Sequence, residues 1–410
     1  MMRYVIAAYA ACLTLLAAFA IGGAALVFDA AGPSDAAEAA ANRNSFNLVT
    51  WELKHLPQKW LYKIGAVFRD EHGSDDDALR RYFELGDEID RLAGDAPGSD
   101  ELARAEDERG DLEARVEDII EGRVTSVLED QNLALEPPLF TDLGLIIPPV
   151  DFEIDPPPRV LAVSPRDRIE LDDSYLLTPG LSSETALAIE SGVETDDPDV
   201  SALVVTTGGV ATYPSVIREG RSYERIVDTV FHEWLHQYLI FFPLGRSYFE
   251  GGEARTLNES VANIAGSELA RLYFERYDRL EPAAPAPTPG PSPAPSPAPG
   301  PVDDPFDFGA EMRTLRVDVE EMLADGRIKE AEALMERKRD EFEAKGRYIR
   351  RLNQAYFAFF GFYADTPASI DPIGPKLAAL LGRAGSPGEF VRQASGITSQ
   401  GELDRLLGGG

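Results

Sequence analysis

The sequence predicts an α+β protein that is mostly helical, in which a small sheet precedes a long apolar helix. Four short runs rich in Val, Ile, Leu, Thr and Tyr lie between residues 159 and 217, bounded by Pro, Gly and Asp, as is typical of strands. Residues 222–242 contain no Pro or Gly, and their apolar side chains recur every three or four positions, which predicts a half-buried helix. Charged segments on both sides of this region predict largely helical N- and C-terminal parts.

The composition of the chain limits the number of its domains, its possible partners and its possible metal ligands. The 410 residues are enough for two or three domains, and a hydrophobic content of 44% supports real cores. The formal charge of −32 argues against nucleic acid and anionic membrane surfaces as partners. Cys12 is the only cysteine, so an internal disulfide and a cysteine-based metal site are both excluded. Any metal ligands must therefore be histidines and carboxylates.

The N-terminal segment predicts a connection to the membrane. Residues 4–28 carry no charge and are long enough to cross a bilayer once. We expect residues 1–28 to be an uncleaved anchor that leaves the body of the protein on the extracytoplasmic side. A cleaved signal peptide is the alternative, because Ala18-Phe19-Ala20 resembles a cleavage site, and the protein would then be secreted.

Changes in composition divide the rest of the chain. Residues 29–44 are an Ala-rich tether, and residues 45–132 are a helical region whose charged segments predict a solvated helical hairpin. Residues 133–280 contain the predicted strands and the apolar helix. Residues 281–305 are almost entirely Pro, Ala, Ser, Thr and Gly, which predicts an extended linker. Residues 306–410 are a helical C-terminal domain.

The apolar helix contains His232-Glu233-Trp234-Leu235-His236, an H-E-x-x-H motif. Two residues four apart lie on one helix face, roughly 6 Å apart along the axis, so both imidazoles can bind one tetrahedral zinc ion. Glu233 extends from the same turn and can act as a general base. Glu259 lies on a second predicted helix, residues 256–277, and is the candidate third ligand. The alternative is an inert pair of charged helices with a chance match to the motif.

This pattern resembles the gluzincin group of zinc metallopeptidases, the thermolysin-like and aminopeptidase-like enzymes. In that group the H-E-x-x-H motif is completed by a Glu, often within Asn-Glu-x-x-x-Asp. This chain has Asn258-Glu259-Ser260-Val261-Ala262-Asn263, with Asn263 in place of the usual Asp. Asn263 can still accept a hydrogen bond from a ligand histidine. The resemblance covers roughly residues 202–277 and implies a zincin-like catalytic domain over residues 133–280.

The resemblance also implies the roles of other residues. Zinc on three protein ligands keeps a fourth position for water, which Glu233 would deprotonate for attack on a peptide bond. A tyrosine would stabilise the oxyanion, as in aminopeptidase-like gluzincins. Tyr356 and Tyr363 are the candidates, because a helical C-terminal domain closes the cleft in many gluzincins. Tyr213 and Tyr238 are further candidates.

Substrate binding is predicted at two places. Residues 208–213, which include Tyr213, are the candidate edge strand for an extended peptide, and an ordinary glycine-rich hairpin is the alternative. Glu253, with Glu250 beside it, is the candidate for binding the free amine of an aminopeptidase substrate. Exopeptidase and endopeptidase activity both remain open at this point.

The function predicted from these features is a membrane-anchored zinc peptidase that hydrolyses peptide or protein substrates. A catalytically inactive zincin-fold scaffold or binding protein tethered to the membrane is the alternative, suggested by the acidic helices and the proline-rich linker. Glu233 favours the peptidase, because a scaffold has no chemical use for this carboxylate.

Overall fold

The computed structural model describes residues 35–48, 50–51, 74–133, 146–220, 222–280, 306–364 and 366–408. The predicted anchor or signal peptide and the predicted linker at 281–305 lie outside these residues. Within the described parts of the chain, no helix is both long enough and apolar enough to span a bilayer.

The N-terminal part is helical and packs into the core. It comprises α1 (Asp35–Arg43), α2 (Asp75–Asp95) and α3 (Asp100–Asp130). Ser74 and Ser99 cap α2 and α3 by accepting hydrogen bonds from backbone N–H groups of the first turn. The predicted helical hairpin is present. One side of α3 is buried rather than solvated, since Val116 and Ile120 are fully buried in the main core. Part of the predicted tether forms α1, and the alanines of this helix pack in one apolar cluster with Leu161 and Val163.

The strands form two three-stranded sheets in the described residues, where the sequence predicted one small sheet. The strands are β1 (Phe152–Ile154), β2 (Arg159–Pro165), β3 (Asp173–Leu177), β4 (Val200–Thr206), β5 (Gly209–Val210) and β6 (Ser215–Ile217). The first sheet has the order β3-β2-β4 and is antiparallel. The second has the order β1-β6-β5, with β1 and β6 parallel and β5 antiparallel to β6.

The two edges of the second sheet differ. At the β1 edge, two buried carboxylates of α3 replace a neighbouring strand: Glu121 accepts from the Phe152 N–H at 3.1 Å, and Glu117 accepts from the Ile154 N–H at 2.7 Å. At the other edge, β5 pairs only with β6 among the described residues. The first edge is therefore closed by α3, whereas the outer side of β5 is the one that can accept another strand.

Two long helices form the centre of the main core. They are α5 (Tyr223–Leu239) and α7 (Gly252–Arg276), which follow α4 (Ser183–Asp196) and are separated by the short α6 (Pro243–Arg246) and a 3₁₀ turn, Ser247–Glu250. A glycine permits their close approach: a Cβ at Gly266 would lie 3.3 Å from the backbone nitrogen of His232. This contact brings the segment around Glu259 against the H-E-x-x-H segment.

The C-terminal part is helical, as predicted, and contains six helices in the described residues. Residues 348–364 are rich in aromatic side chains and contain one short helix, α10 (Gln354–Phe360). Its Ala355 packs against Leu203 and Val205 of β4, which joins the C-terminal part to the first sheet. The helices are α8 (Phe308–Ala324), α9 (Ile328–Ala344), α10 (Gln354–Phe360), α11 (Ile373–Arg383), α12 (Pro387–Ala394) and α13 (Gln400–Gly408).

A buried ion pair attaches the residues before α10 to the same sheet. Glu190 of α4 is fully buried and accepts from the Val204 N–H at 2.6 Å. The guanidinium groups of Arg350 and Arg351 both pair with its carboxylate. Because a buried carboxylate is costly unless it is paired, this contact fixes where the chain enters α10 and the segment beyond it.

Candidate metal centre

Three side chains from α5 and α7 converge on one point. The Nε2 atoms of His232 and His236 are 3.1 Å apart. Oε2 of Glu259 lies 3.6 Å from the His232 Nε2 and 3.4 Å from the His236 Nε2. Glu259 and both imidazoles are almost completely removed from solvent, with side-chain exposures of 9% and 14%.

These distances fit a metal ion. A tetrahedral zinc with bonds of about 2.0–2.1 Å holds its ligand atoms roughly 3.4 Å apart, which is close to all three separations. The buried Oε2 of Glu259 also lacks a hydrogen-bond partner among the described residues. An unsatisfied carboxylate oxygen is costly in the interior, and a cation on Oε2 would remove this cost. The donor set of two imidazoles and one carboxylate is one that zinc accepts.

Asn258 orients one of the ligands. Its Oδ1 lies 2.7 Å from the Nδ1 of His236, and its side-chain nitrogen points to the Leu244 carbonyl. When Nδ1 donates its proton to the amide oxygen, the lone pair of His236 is on Nε2, the atom that faces Glu259. The asparagine thus selects the ring form that can bind a metal.

The charges of the cluster are strongly coupled. Burial opposes the charged form of His236, but the Glu259 carboxylate outweighs this effect and raises the pKa of His236 to about 9. Burial acts against ionised Glu259 as well, yet the two imidazoles, above all that of His236, hold the pKa of Glu259 well below its usual range. A negative carboxylate therefore faces the two imidazoles, and a metal would compete with protons for the same nitrogen atoms.

Glu233 lies on the other side of the same turn, against the second sheet. It is 6% exposed, and burial raises its pKa, with the two histidines acting in the opposite direction. A Cβ at Gly209 of β5 would be 2.7 Å from Glu233 Oε1, so only glycine allows this approach. The general-base candidate and the free edge strand are therefore neighbours.

Two tyrosines flank the ligands. Tyr248, from the 3₁₀ turn, donates a hydrogen bond to Glu259 Oε1 at 2.7 Å. The ring centroid of Tyr363 is 6.4 Å from that of His232. Burial, reinforced by the charge of Glu259, raises the pKa of both hydroxyls well above the ordinary value, so both remain protonated donors.

Ser260 holds Tyr363 in this position. Its hydroxyl accepts from the Ala364 N–H at 3.1 Å and reaches the Phe362 carbonyl at 3.5 Å. Ser260 directly follows Glu259. The candidate metal ligand and the residue that positions Tyr363 are therefore adjacent on α7.

The other predicted site residues lie away from the three ligands. Tyr356 packs among Phe357, Phe360 and the first sheet, and burial raises its pKa to about 12. Tyr213 is buried and donates to Asp151 at 3.2 Å. Tyr238 stacks on Trp234 within the core.

Two further predicted positions lie on α7. Glu253 is exposed and accepts from the Gln400 N–H at 3.0 Å, while the side chain of Glu250 is outside the described residues. Asn263 is half-buried one turn beyond Glu259. Asn258, which directly precedes Glu259, makes a hydrogen-bond contact with the His236 imidazole.

Sequence reasoning did not assign roles to Asn258, Tyr248 and Ser260. Asn258 and Ser260 flank Glu259 in the motif, so their proximity to the ligands could have been inferred. The sequence indicated Tyr248 more weakly, as an aromatic residue with a hydroxyl group in the short connection between α5 and α7.

Comparison of the chain with protein-family models, with curated proteins and with solved structures finds no match.

The role of Asn258 can be tested by metal affinity. We expect Asn258→Ala to lower zinc affinity by about 10- to 100-fold, because His236 loses the group that orients its Nδ1. Asn263→Ala makes the same change one turn further along α7, at the position that the motif predicts for this role. Zinc affinity is measured by competition with a fluorescent chelator. A larger loss in Asn263→Ala than in Asn258→Ala would contradict this assignment.

Proposed function

We propose that this protein is a zinc-dependent peptidase of the gluzincin type, with a zincin-like core formed by α5, α7 and the second sheet. The observation that supports this most strongly is the convergence of His232 Nε2, His236 Nε2 and Glu259 Oε2 at mutual distances of 3.1–3.6 Å. Three ligands of this kind would hold zinc with a position left for water, which distinguishes a catalytic from a structural site.

The proposed chemistry divides between the metal and the protein. Zinc, when bound, lowers the pKa of a coordinated water and polarises a substrate carbonyl. Glu233 accepts the proton of the attacking water and transfers it to the leaving amine. Its burial suits this role, because a carboxylate with a raised pKa can hold a proton between the two steps.

The oxyanion requires a donor near the ligands. Tyr363 is partly buried, protonated and next to His232, and Tyr248 donates a hydrogen bond to Glu259. We therefore assign Tyr363 as the donor to the developing negative charge and Tyr248 as the residue that positions Glu259.

Substrate binding by strand addition suits the free edge of β5. Gly209 of this strand lies against Glu233, so an extended peptide paired with β5 would lie close to the proposed base. Backbone pairing of this kind accepts many sequences. The proposed peptidase is extracytoplasmic and tethered to the membrane by residues 4–28.

Paired substitutions of the two glutamates test this function. Glu233→Gln keeps the shape but removes the base, so zinc should stay bound while peptide turnover falls by a factor of about 10² to 10⁴. Glu259→Ala removes a ligand, so zinc affinity and turnover should fall together. Zinc content by mass spectrometry and turnover of a mixed peptide library are measured on the same samples.

Excess zinc separates the two variants further. It should partly restore Glu259→Ala and never Glu233→Gln, which lacks a proton acceptor. Full activity in Glu233→Gln, or an absence of turnover by the zinc-loaded parent protein, would refute the peptidase mechanism. The second result, together with retained binding of a partner, would favour the inactive scaffold.

Two tyrosines provide a matched test of the oxyanion donor. Tyr363→Phe should lower kcat by about 10²-fold with zinc content unchanged, because a donor to the developing charge is lost. Tyr356→Phe should have little effect, since Tyr356 packs away from the ligands. Steady-state kinetics on one peptide measures both, and an equal effect of the two changes would overturn the assignment.

A further inference from the structure

Among the described residues, an arginine next to the proposed metal ligands has no carboxylate partner. Arg255 lies on α7 one turn before Glu259, so the two side chains share one face of the helix. Its Nε is buried and has no hydrogen-bond partner among the described residues, and no ion pair of these residues includes Arg255. A buried N–H group without an acceptor is unfavourable, so an acceptor on a bound molecule would stabilise it.

Two aromatic rings fix the position of this guanidinium. Its central carbon is 5.1 Å from the ring centroid of Tyr248 and 5.4 Å from that of Phe362. Tyr248 is hydrogen-bonded to Glu259, and Phe362 directly precedes Tyr363. Arg255 therefore packs on the same two segments that flank the metal ligands.

These ring contacts do not satisfy the arginine. A cation–π contact uses the flat face of the guanidinium, whereas its N–H donors point outward in the plane. A planar fork held in this way is suited to accept a carboxylate through two parallel hydrogen bonds.

The charge balance of the protein makes this arrangement informative. The chain has 71 acidic residues and 39 Lys and Arg, so carboxylates are abundant, yet none of the described ones pairs with Arg255. The first turn of α7 adds a favourable field for an anion, because it has no side-chain cap and begins at Gly252 in the turn that precedes Arg255.

We propose that Arg255 binds a carboxylate group of the substrate. This inference rests on the proposed function, because the negatively charged groups of a peptide are carboxylates. The group is either the C-terminal carboxylate, which would direct cleavage towards the end of the chain, or the side chain of an Asp or Glu. In both cases Arg255 determines specificity, and Glu233 and the metal ligands perform the reaction.

Binding to protein stripped of zinc tests this inference without turnover. Four N-terminally labelled peptides of otherwise neutral sequence are compared by fluorescence anisotropy: a free acid, its amide, and two amides that carry Glu or Gln at one position. We expect the free acid or the Glu amide to bind at least tenfold more tightly than its neutral counterpart. Which of them does so identifies the source of the carboxylate.

Variants then assign the preference to the arginine. Arg255→Gln should lower affinity for the preferred carboxylate peptide by about 10- to 100-fold and leave its neutral counterpart unchanged. Arg255→Met keeps an apolar stem against the two rings and repeats the test if Arg255→Gln does not fold. Arg246→Gln is the matched control, since Arg246 is an exposed arginine on nearby α6 and its loss changes net charge equally.

The outcomes separate this inference from the peptidase proposal. Equal binding of acids and amides by the parent protein, or equal losses in the Arg255 and Arg246 variants, would overturn the carboxylate site. Peptide turnover without any preference for carboxylates would do so too, while leaving the peptidase intact. A carboxylate preference that depends on Arg255, in a protein with no turnover, would support the site and remove the peptidase function.

Discussion

The contact between α5 and α7 places a buried carboxylate against two imidazoles, and the organisation of the centre of this protein follows from it. The absence of a side chain at Gly266 favours this close approach, because a Cβ there would lie 3.3 Å from the backbone nitrogen of His232. At this distance Glu259 is largely removed from solvent, and its Oε2 faces the Nε2 atoms of both histidines. Such a cluster is stabilised by a cation at its centre, either protons on the imidazoles or a metal ion.

The groups around this cluster come from three distant parts of the chain. The second sheet contributes Gly209 next to Glu233, the connection between the metal helices contributes Tyr248, and the C-terminal part contributes Tyr363. Ser260 links the last of these to α7, while Glu190 and two arginines attach the preceding residues to the first sheet. The position of Tyr363 therefore depends on packing across the whole molecule.

The parts of the site that could be predicted are those set by local helical periodicity. His232, Glu233 and His236 share one helix, and Glu259 lies on a second helix separated from it by a short connection, so a sequence pattern suffices to group them. The choice between Tyr356 and Tyr363 depends on the long-range contact of Ser260 with Ala364, which no local pattern reveals. Likewise, the motif did not indicate that Asn258 lies against the Nδ1 of His236. The division of the strands into two sheets was also inaccessible, since pairing partners far apart in sequence are not specified by strand periodicity.

The most direct test of the metal centre is the position of a bound zinc ion. Diffraction data from crystals grown with zinc, collected on both sides of the zinc absorption edge, would give this position without reference to activity. The structure predicts an anomalous peak within about 2.0–2.2 Å of His232 Nε2, His236 Nε2 and a carboxylate oxygen of Glu259. An absence of zinc between these three side chains at full zinc loading, or a peak held by other residues, would contradict the account.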